Sequence, residues 1–497
     1  MNIQKIVLLL FIGSLSITLS AQQTTVYTEA NASFKRGKEF FDKGLVGKAQ
    51  QEFKHTVDLL EPVNEPESDL LKMKAELYIA KSAVQLNLPE GEKLVLDFAR
   101  KYDPDPLANE ALIEMANFYY NARNYEKAQE LFSNIDVLDL SRSQRSEVLF
   151  KQGYAFFYKK KFDQAAASFR RIKEVDNEYY FPTNYYYGIT QFYKNNYDEA
   201  IKSFERCQRS NKYRVYVPYY ITQIYFAQGL YDDVIDYGAK KAQASGLKNK
   251  PEINQLVGQA YFEKGDYNRA LPHLEYFVEN SRSIRPEDYY QLAFTQKETG
   301  ECQKAVKNFE ELRDVNSPLG QNAMFSLADC HIKNDNKQEA RNAFRLAARM
   351  NFDPVIQEIS TYNFGKLSYE LNYDSDAISA LQAIPPDSEY YAESQNMLSN
   401  IFLNTRDYAN ALQQLENIPN KNPKMRETYQ KVAYFRGLQL LKDGRADAAK
   451  TYFQKSLENP IDVRTKALAY FWLGDIEHQD GNYTASVQEL NKFNTLA

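Results

Sequence analysis

The chain has 497 residues, with 61 basic and 66 acidic side chains and a formal charge of −5. That is longer than one hydrophobic core organises, so several domains or a repeat array is expected. Apolar residues at 43% and charged residues at 26% exclude a wholly disordered chain, and the mildly acidic balance without long basic runs excludes nucleic acid as the main partner, because phosphate binding relies on clustered Lys and Arg.

The first element reads as a targeting segment. Lys5 supplies a positive start, and the stretch 6–19 is apolar apart from Gly13, Ser14, Ser16 and Thr18. Ser20 and Ala21 then offer small residues for cleavage ahead of the polar Gln22 and Gln23. This is the plan of a secretory signal peptide over residues 1–21, cut after Ala21 or after Ser20. The 14 residues of the apolar stretch fall short of the ~20 of a membrane span. No later run is apolar enough to span a bilayer, and no Cys lies near the cut to take a lipid. The mature chain, 22–497, is expected to be soluble and outside the cytoplasm, in the periplasm or cell envelope.

From there to the end the chain is periodic. An aromatic, two residues, Ala, three residues, then Phe or Leu recurs at Tyr125-Ala128-Phe132, Phe162-Ala165-Phe169, Tyr197-Ala200-Phe204, Tyr267-Ala270-Leu274 and Tyr408-Ala411-Leu415. Extending the register gives thirteen sites: Ala49, Leu94, Ala128, Ala165, Ala200, Val234, Ala270, Ala305, Ala340, Ala377, Ala411, Ala449 and Ser486. The first interval is 45 residues and the rest are 34 to 38. Twelve residues before each site stands a small residue, including Gly153, Gly188, Gly258 and Gly365. Four residues after it stand eight Phe, four Leu and, after Val234, Gly238.

Helix packing explains the pattern. Each unit is expected to be two amphipathic helices joined by a tight turn, such as Asn-Ala-Arg-Asn-Tyr at 121–125 or Lys-Gly-Asp-Tyr at 264–267. A small residue in the first helix and Ala in the second let the backbones approach, and Phe one turn later fills the shared core. Prolines at the unit boundaries, from Pro182 to Pro460, end one helix or open the next. No sustained alternation marks strands. The expected fold is all-α, with weak units at Leu94 and Val234 where the pattern lapses.

The small site, the downstream aromatic, Ala twelve residues on and Phe four further resemble the tetratricopeptide repeat. Gly153…Tyr158…Phe162…Ala165…Phe169 and Gly258…Tyr261…Tyr267…Ala270…Phe277 show it best. The resemblance covers about residues 30 to 497 and implies a right-handed superhelical solenoid of about 13 helix-turn-helix repeats, one array over 22–497. The early Trp of the family motif is absent. With the secretory leader, the chain also resembles the long envelope-associated repeat proteins of Gram-negative bacteria, which act as adaptors.

In the family the first helices line the concave face, and that face usually binds. The first helices of units four to six carry Phe150, Tyr154, Phe157 and Tyr158, then Tyr185, Phe192 and Tyr193, then Tyr216, Tyr219 and Phe226. Tyr and Phe give large contact area at low conformational cost, which suits an extended peptide or a helix of a protein partner. At least half of these rings are assigned to repeat core, where aromatics at helical spacing pack. The family's clamp for a C-terminal carboxylate needs Lys and Asn four apart, whereas here Asn117 pairs with Ile113 and Asn400 with Asn396. The expected function is a non-enzymatic scaffold. The alternative is a carbohydrate- or peptidoglycan-binding protein using the tyrosine-lined groove, against which stands the single Trp.

No metal or cofactor is expected. His55, His273, His331 and His478 fall in different units, and Cys302, Cys330 and His331 lack ligand spacing. No phosphate loop or nucleophile elbow is present. Cys207, Cys302 and Cys330 read as small buried thiols, with a Cys302–Cys330 bridge left open. The last unit, with Leu468, Phe471, Trp472 and Leu473 on one helix and Val487, Leu490 and Phe493 on the next, has no polar capping helix after it. Its outer face is expected to be covered by a second copy, a partner or further residues.

Overall fold

A computed structural model describes residues 25–63, 65–458 and 460–497. The secretory leader expected at 1–21 lies outside them. Among the described residues there are helices and turns and no strand. The described residues divide into two compact units, one of residues 25–233 with 243–250, the other of residues 234–242 with 251–497.

In the first unit a helix over 25–42 is followed by pairs: Val46–Leu60 then Pro66–Gln85, Gly91–Tyr102 then Pro106–Asn121, Tyr125–Ser133 then Arg142–Tyr158, Phe162–Arg170 then Tyr180–Tyr193, and Tyr197–Cys207 then Val217–Ala227. The second unit repeats the plan, with Tyr267–Asn280 and Pro286–Glu298, Cys302–Glu310 and Pro318–Lys333, Lys337–Arg349 and Pro354–Glu370, and on to Val463–Gln479 and Tyr483–Leu496. Pro286, Pro318, Pro354 and Pro423 each stand first in a helix, where the missing N–H costs nothing.

The periodic residues do what the pattern implies. The ten alanines of the register are all at most 3% exposed. A Cβ added at any of Gly37, Gly153, Gly188, Gly258, Gly365, Gly437 or Gly474 would come within 2.6–2.8 Å of the Phe or Leu sixteen residues on. The small site therefore exists because a ring or a leucine occupies the space its side chain would need. The turns are built by one left-handed residue placed five positions before eleven of the thirteen alanine sites, among them Gly44, Arg123, Lys160, Asn195, Gly265 and Asp335.

Two repeats depart. At Leu94 the expected close approach is not made: Leu94 is half-buried, and Gly91, whose Cβ would meet the Ala83 backbone at 3.0 Å, takes the contact with Val95 and Phe98 buried behind it. At Val234 the second helix breaks into Tyr231–Asp233, a π-turn at Val234–Gly238 and Ala239–Ala242. Gly238 stands where a Phe or Leu fills the other repeats, and the division between the units falls at this place.

Consecutive repeats of the second unit are latched by buried amides. Gln321 Nε2 donates to the Met350 carbonyl at 2.9 Å while its Oε1 accepts from Asp353 N–H at 2.7 Å. Gln430 does the same to both backbone groups of Asp462, at 2.9 and 2.7 Å. Asp353 and Asp462 in turn cap the next first helix with their carboxylates.

Candidate functional site

The ten aromatics singled out in the sequence all belong to the first unit; nine of them form one ladder of rings with residues that were not singled out, and Phe226 pairs with Tyr231 apart from it. Phe150, Tyr154 and Phe157 recur at helical spacing on Arg142–Tyr158, so they share a face. That face meets Tyr186, which the sequence reading passed over, at centroid distances of 6.2, 4.8 and 5.4 Å. Behind it Tyr154 packs on Tyr120 and Tyr125, both at 5.7 Å. Ahead, Tyr185 stacks on Tyr213 at 4.6 Å and reaches Tyr216 and Tyr220. Phe192 lies 6.4 Å from Tyr220, Tyr219 lies 5.4 Å from Tyr220, and Phe226 packs on Tyr231 at 5.7 Å.

Burial separates the ten into two groups. Phe150, Tyr154, Phe157, Tyr185, Phe192, Tyr216, Tyr219 and Phe226 are half-buried, none of them sealed. Tyr158 and Tyr193 are 61% and 58% exposed. Each of these two lies on the aromatic that opens the preceding repeat's second helix: Tyr158 on Tyr125 at 4.4 Å, and Tyr193 flat on Phe162 at 5.1 Å. The lysine after each pairs with the acid after each platform, Lys159 with Glu126 at 3.2 Å and Lys194 with Asp163 at 2.5 Å. The clasp therefore repeats from one pair of repeats to the next.

Five phenols in and beside the ladder have their ionisation pushed up. Burial first, and neighbouring phenols second, push Tyr120, Tyr185 and Tyr186 far above the ordinary tyrosine range. Burial pushes Tyr179 and Tyr213 up to about 12. Such a surface offers apolar ring faces and phenol hydroxyls.

Next to the ladder the lining becomes polar. A cleft of about 250 Å³ is lined by Lys81, Gln85, Glu114, Asn117 and Asn121 with Val84, Val95 and Met115. Lys81 is buried and bonds Glu110 at 2.7 Å and Glu114 at 2.9 Å. Burial pulls its pKa down, but the two carboxylates outweigh that and hold it above the usual lysine value. Asn117 is engaged by the next repeat: its Oδ1 accepts from Lys151 Nζ at 2.8 Å, and Lys151 also bonds Glu147 at 2.6 Å. Asn400 donates to the Tyr369 hydroxyl at 3.2 Å. Of the histidines, His273 Nδ1 sits 2.8 Å from Asn254 Oδ1 and His331 is buried in a different repeat.

Comparison with known proteins agrees with the periodicity. Residues 147–175, 290–351 and 436–493 match family models of the tetratricopeptide repeat. Each matched stretch contains whole small-site-to-Phe intervals, Gly153 to Phe169 in the first and Ala293 to Phe309 in the second. These matches support tetratricopeptide repeats over the matched residues. No curated protein matches the chain. Among solved structures, the C-terminal part of a TPR repeat-containing protein from Cytophaga hutchinsonii is 17% identical and covers 56% of this chain and 97% of its own, with a TM-score of 0.33. A tetratricopeptide repeat protein from Parabacteroides merdae is 15% identical, covering 64% and 99%, with a TM-score of 0.29. The APC/C hetero-tetramer Cut9–Hcn1 is 12% identical, covering 97% and 90%, with a TM-score of 0.25. No helix among the described residues is long and apolar enough to cross a membrane.

Proposed function

We propose that this chain is a non-enzymatic scaffold that docks partner proteins, with the aromatic ladder of the first unit taking an extended peptide or a helix. The observation that carries the reading is the half-buried state of eight consecutive-repeat aromatics together with the exposed Tyr158 and Tyr193. Rings committed to core alone would be sealed like Phe169 and Phe204, which are 0% exposed. We place the scaffold in the periplasm or cell envelope, after removal of a leader at 1–21, with 22–497 as the repeat array; the residues at 5–21 support that placement. The outer face of the last helix, where Tyr483 and Val487 are 63% and 58% exposed, supports association of that end with a second copy or a partner.

A pull-down from the native envelope tests the reading. Recovery of a protein that is lost when Tyr158 and Tyr193 are both changed to Ser is the expected result. Selective retention on cell-wall material, with no protein recovered, would replace it with the glycan reading.

A further inference from the structure

Two of the three thiols meet. Cys302 is the first residue of Cys302–Glu310, the second helix of its repeat, and Cys330 lies in Pro318–Lys333, the first helix of the next. Their sulfurs are 2.7 Å apart in the interior of the second unit. That is closer than unbonded sulfurs rest, and both helices hold their cysteine there through a core that includes Leu327, Met324 and Phe309, all 0% exposed. Cys207 provides the contrast. It is buried in the first unit with its sulfur 3.5 Å from the Phe181 carbonyl.

We propose that Cys302 and Cys330 are a disulfide-forming pair that clamps one repeat of the second unit to the next. The inference rests on the paired sulfurs and stands apart from the docking role of the first unit.

The oxidant is a disulfide, either a small molecule such as glutathione disulfide or the disulfide of a thiol oxidoreductase. Cys330 is sealed at 0% exposure and burial pushes its thiol up, whereas Cys302 keeps 5% and follows the left-handed turn at Gly300. The first exchange therefore falls on Cys302. Its thiolate attacks one sulfur of the oxidant, the oxidant's S–S bond breaks, and one thiol leaves with a proton. The Cys330 thiolate then attacks Cys302 Sγ, forms the bridge and expels the second thiol. Two protein thiols are oxidised and one disulfide is reduced to two thiols. Because the two sulfurs already lie 2.7 Å apart, closing the bridge asks less than 1 Å of further approach between them. It closes a loop between residues 28 apart and spans a single repeat interface. In an array held by nearest-neighbour contacts it acts on that interface and leaves distant repeats as they were.

The full chain, purified reduced and then freed of reductant, is incubated folded with glutathione disulfide, denatured, alkylated and mapped by peptide mass. The expected result joins the Cys302 and Cys330 peptides with the loss of two hydrogens and leaves Cys207 alone alkylated. The Cys207→Ser variant should form the same bridge, and dithiothreitol should reverse it. Amide exchange across 302–333 should slow on the order of a hundredfold in the oxidised chain relative to the reduced chain, while exchange across 436–493 stays the same. Three alkylated thiols after incubation of the folded chain would overturn the proposal. So would glutathione left on Cys302 as the end product, or an oxidised chain that exchanges no more slowly than the reduced one.

Discussion

Changing Gly188 to Thr should open its repeat, and the cost follows from the space available. A Cβ at 188 would stand 2.7, 2.9 and 3.0 Å from Cε1, Cδ1 and Cζ of Phe204. The ring cannot swing aside, because it is fully buried and stacked on Tyr220 at 5.2 Å, with Tyr185 at 6.5 Å. Inserting a branched side chain into such a core costs about 1–3 kcal/mol, against which leaving glycine returns only about 0.3–0.5 kcal/mol of helix propensity. The net loss is about 0.5–2.7 kcal/mol. Gly188→Ala should be far milder, because alanine already occupies this position ahead of Phe132, Phe309 and Phe344. Phe204→Ala should cost about 3–5 kcal/mol by opening a cavity. In that background the threonine has room, so the double variant should be no worse than Phe204→Ala alone, a coupling of about 1–2 kcal/mol. Amide exchange over 180–207 in the full chain measures each value locally, which avoids a single unfolding midpoint for a long array. Costs that add to within about 0.3 kcal/mol would show that the glycine is not there for the ring, and the packing argument would fail.

Lys160 and Arg123 hold left-handed turns at φ 58° and 60°, so Lys160→Gly and Arg123→Gly should each stabilise by about 0.5–1 kcal/mol, read as slower amide exchange in their own repeats. Gln430→Leu should lose both bonds to the Asp462 backbone, costing about 1–3 kcal/mol and exposing 462–466 to faster exchange. Tyr158→Ser with Tyr193→Ser should weaken partner binding with helix content unchanged, whereas Tyr154→Ser, which removes contacts to Tyr120, Tyr125 and Tyr186, should also lower the melting temperature. Tyr120, Tyr185 and Tyr186 have folded pKa values raised by burial, so their stabilisation is full below the unfolded phenol value near 10 and is lost as pH climbs above it. Titrated by phenolate absorbance and circular dichroism together, these tyrosines should ionise only as helix signal falls; full ionisation near pH 10 with helices intact would refute their burial.

The repeat was legible because its determinants lie within one helical pair. Gly153, Ala165 and Phe169 are sixteen residues apart at most and contact each other whatever the neighbouring repeat does. Leu94 misled because periodicity alone does not say which of two adjacent apolar-compatible residues faces the partner helix; the glycine at 91 was the signal that could have shown it. Val234 read as a weak unit, but spacing does not report the π-turn at Val234–Gly238 or the division of the chain there.

Contacts between repeats were harder to read, since they depend on how one pair is rotated against the next. Tyr185, Tyr186 and Tyr187 are consecutive and chemically identical, yet Tyr186 faces the preceding repeat, Tyr185 the following one, and Tyr187 is sealed at 1% exposure under Lys173. A helix turns 100° per residue, so three adjacent rings cannot share a face, and only the packed neighbours decide which of them stays within reach of a partner. The same reasoning sets apart Tyr158 and Tyr193. Each lies near the end of a first helix, beyond the small site and its ring, where the neighbouring repeat supplies a platform beneath and more than half of the side chain stays exposed. A stripe assigned in the sequence as half core and half surface therefore sorts by position along the helix: the rings in its middle pack repeat on repeat and stay half-buried, and Tyr158 and Tyr193 at its ends are exposed.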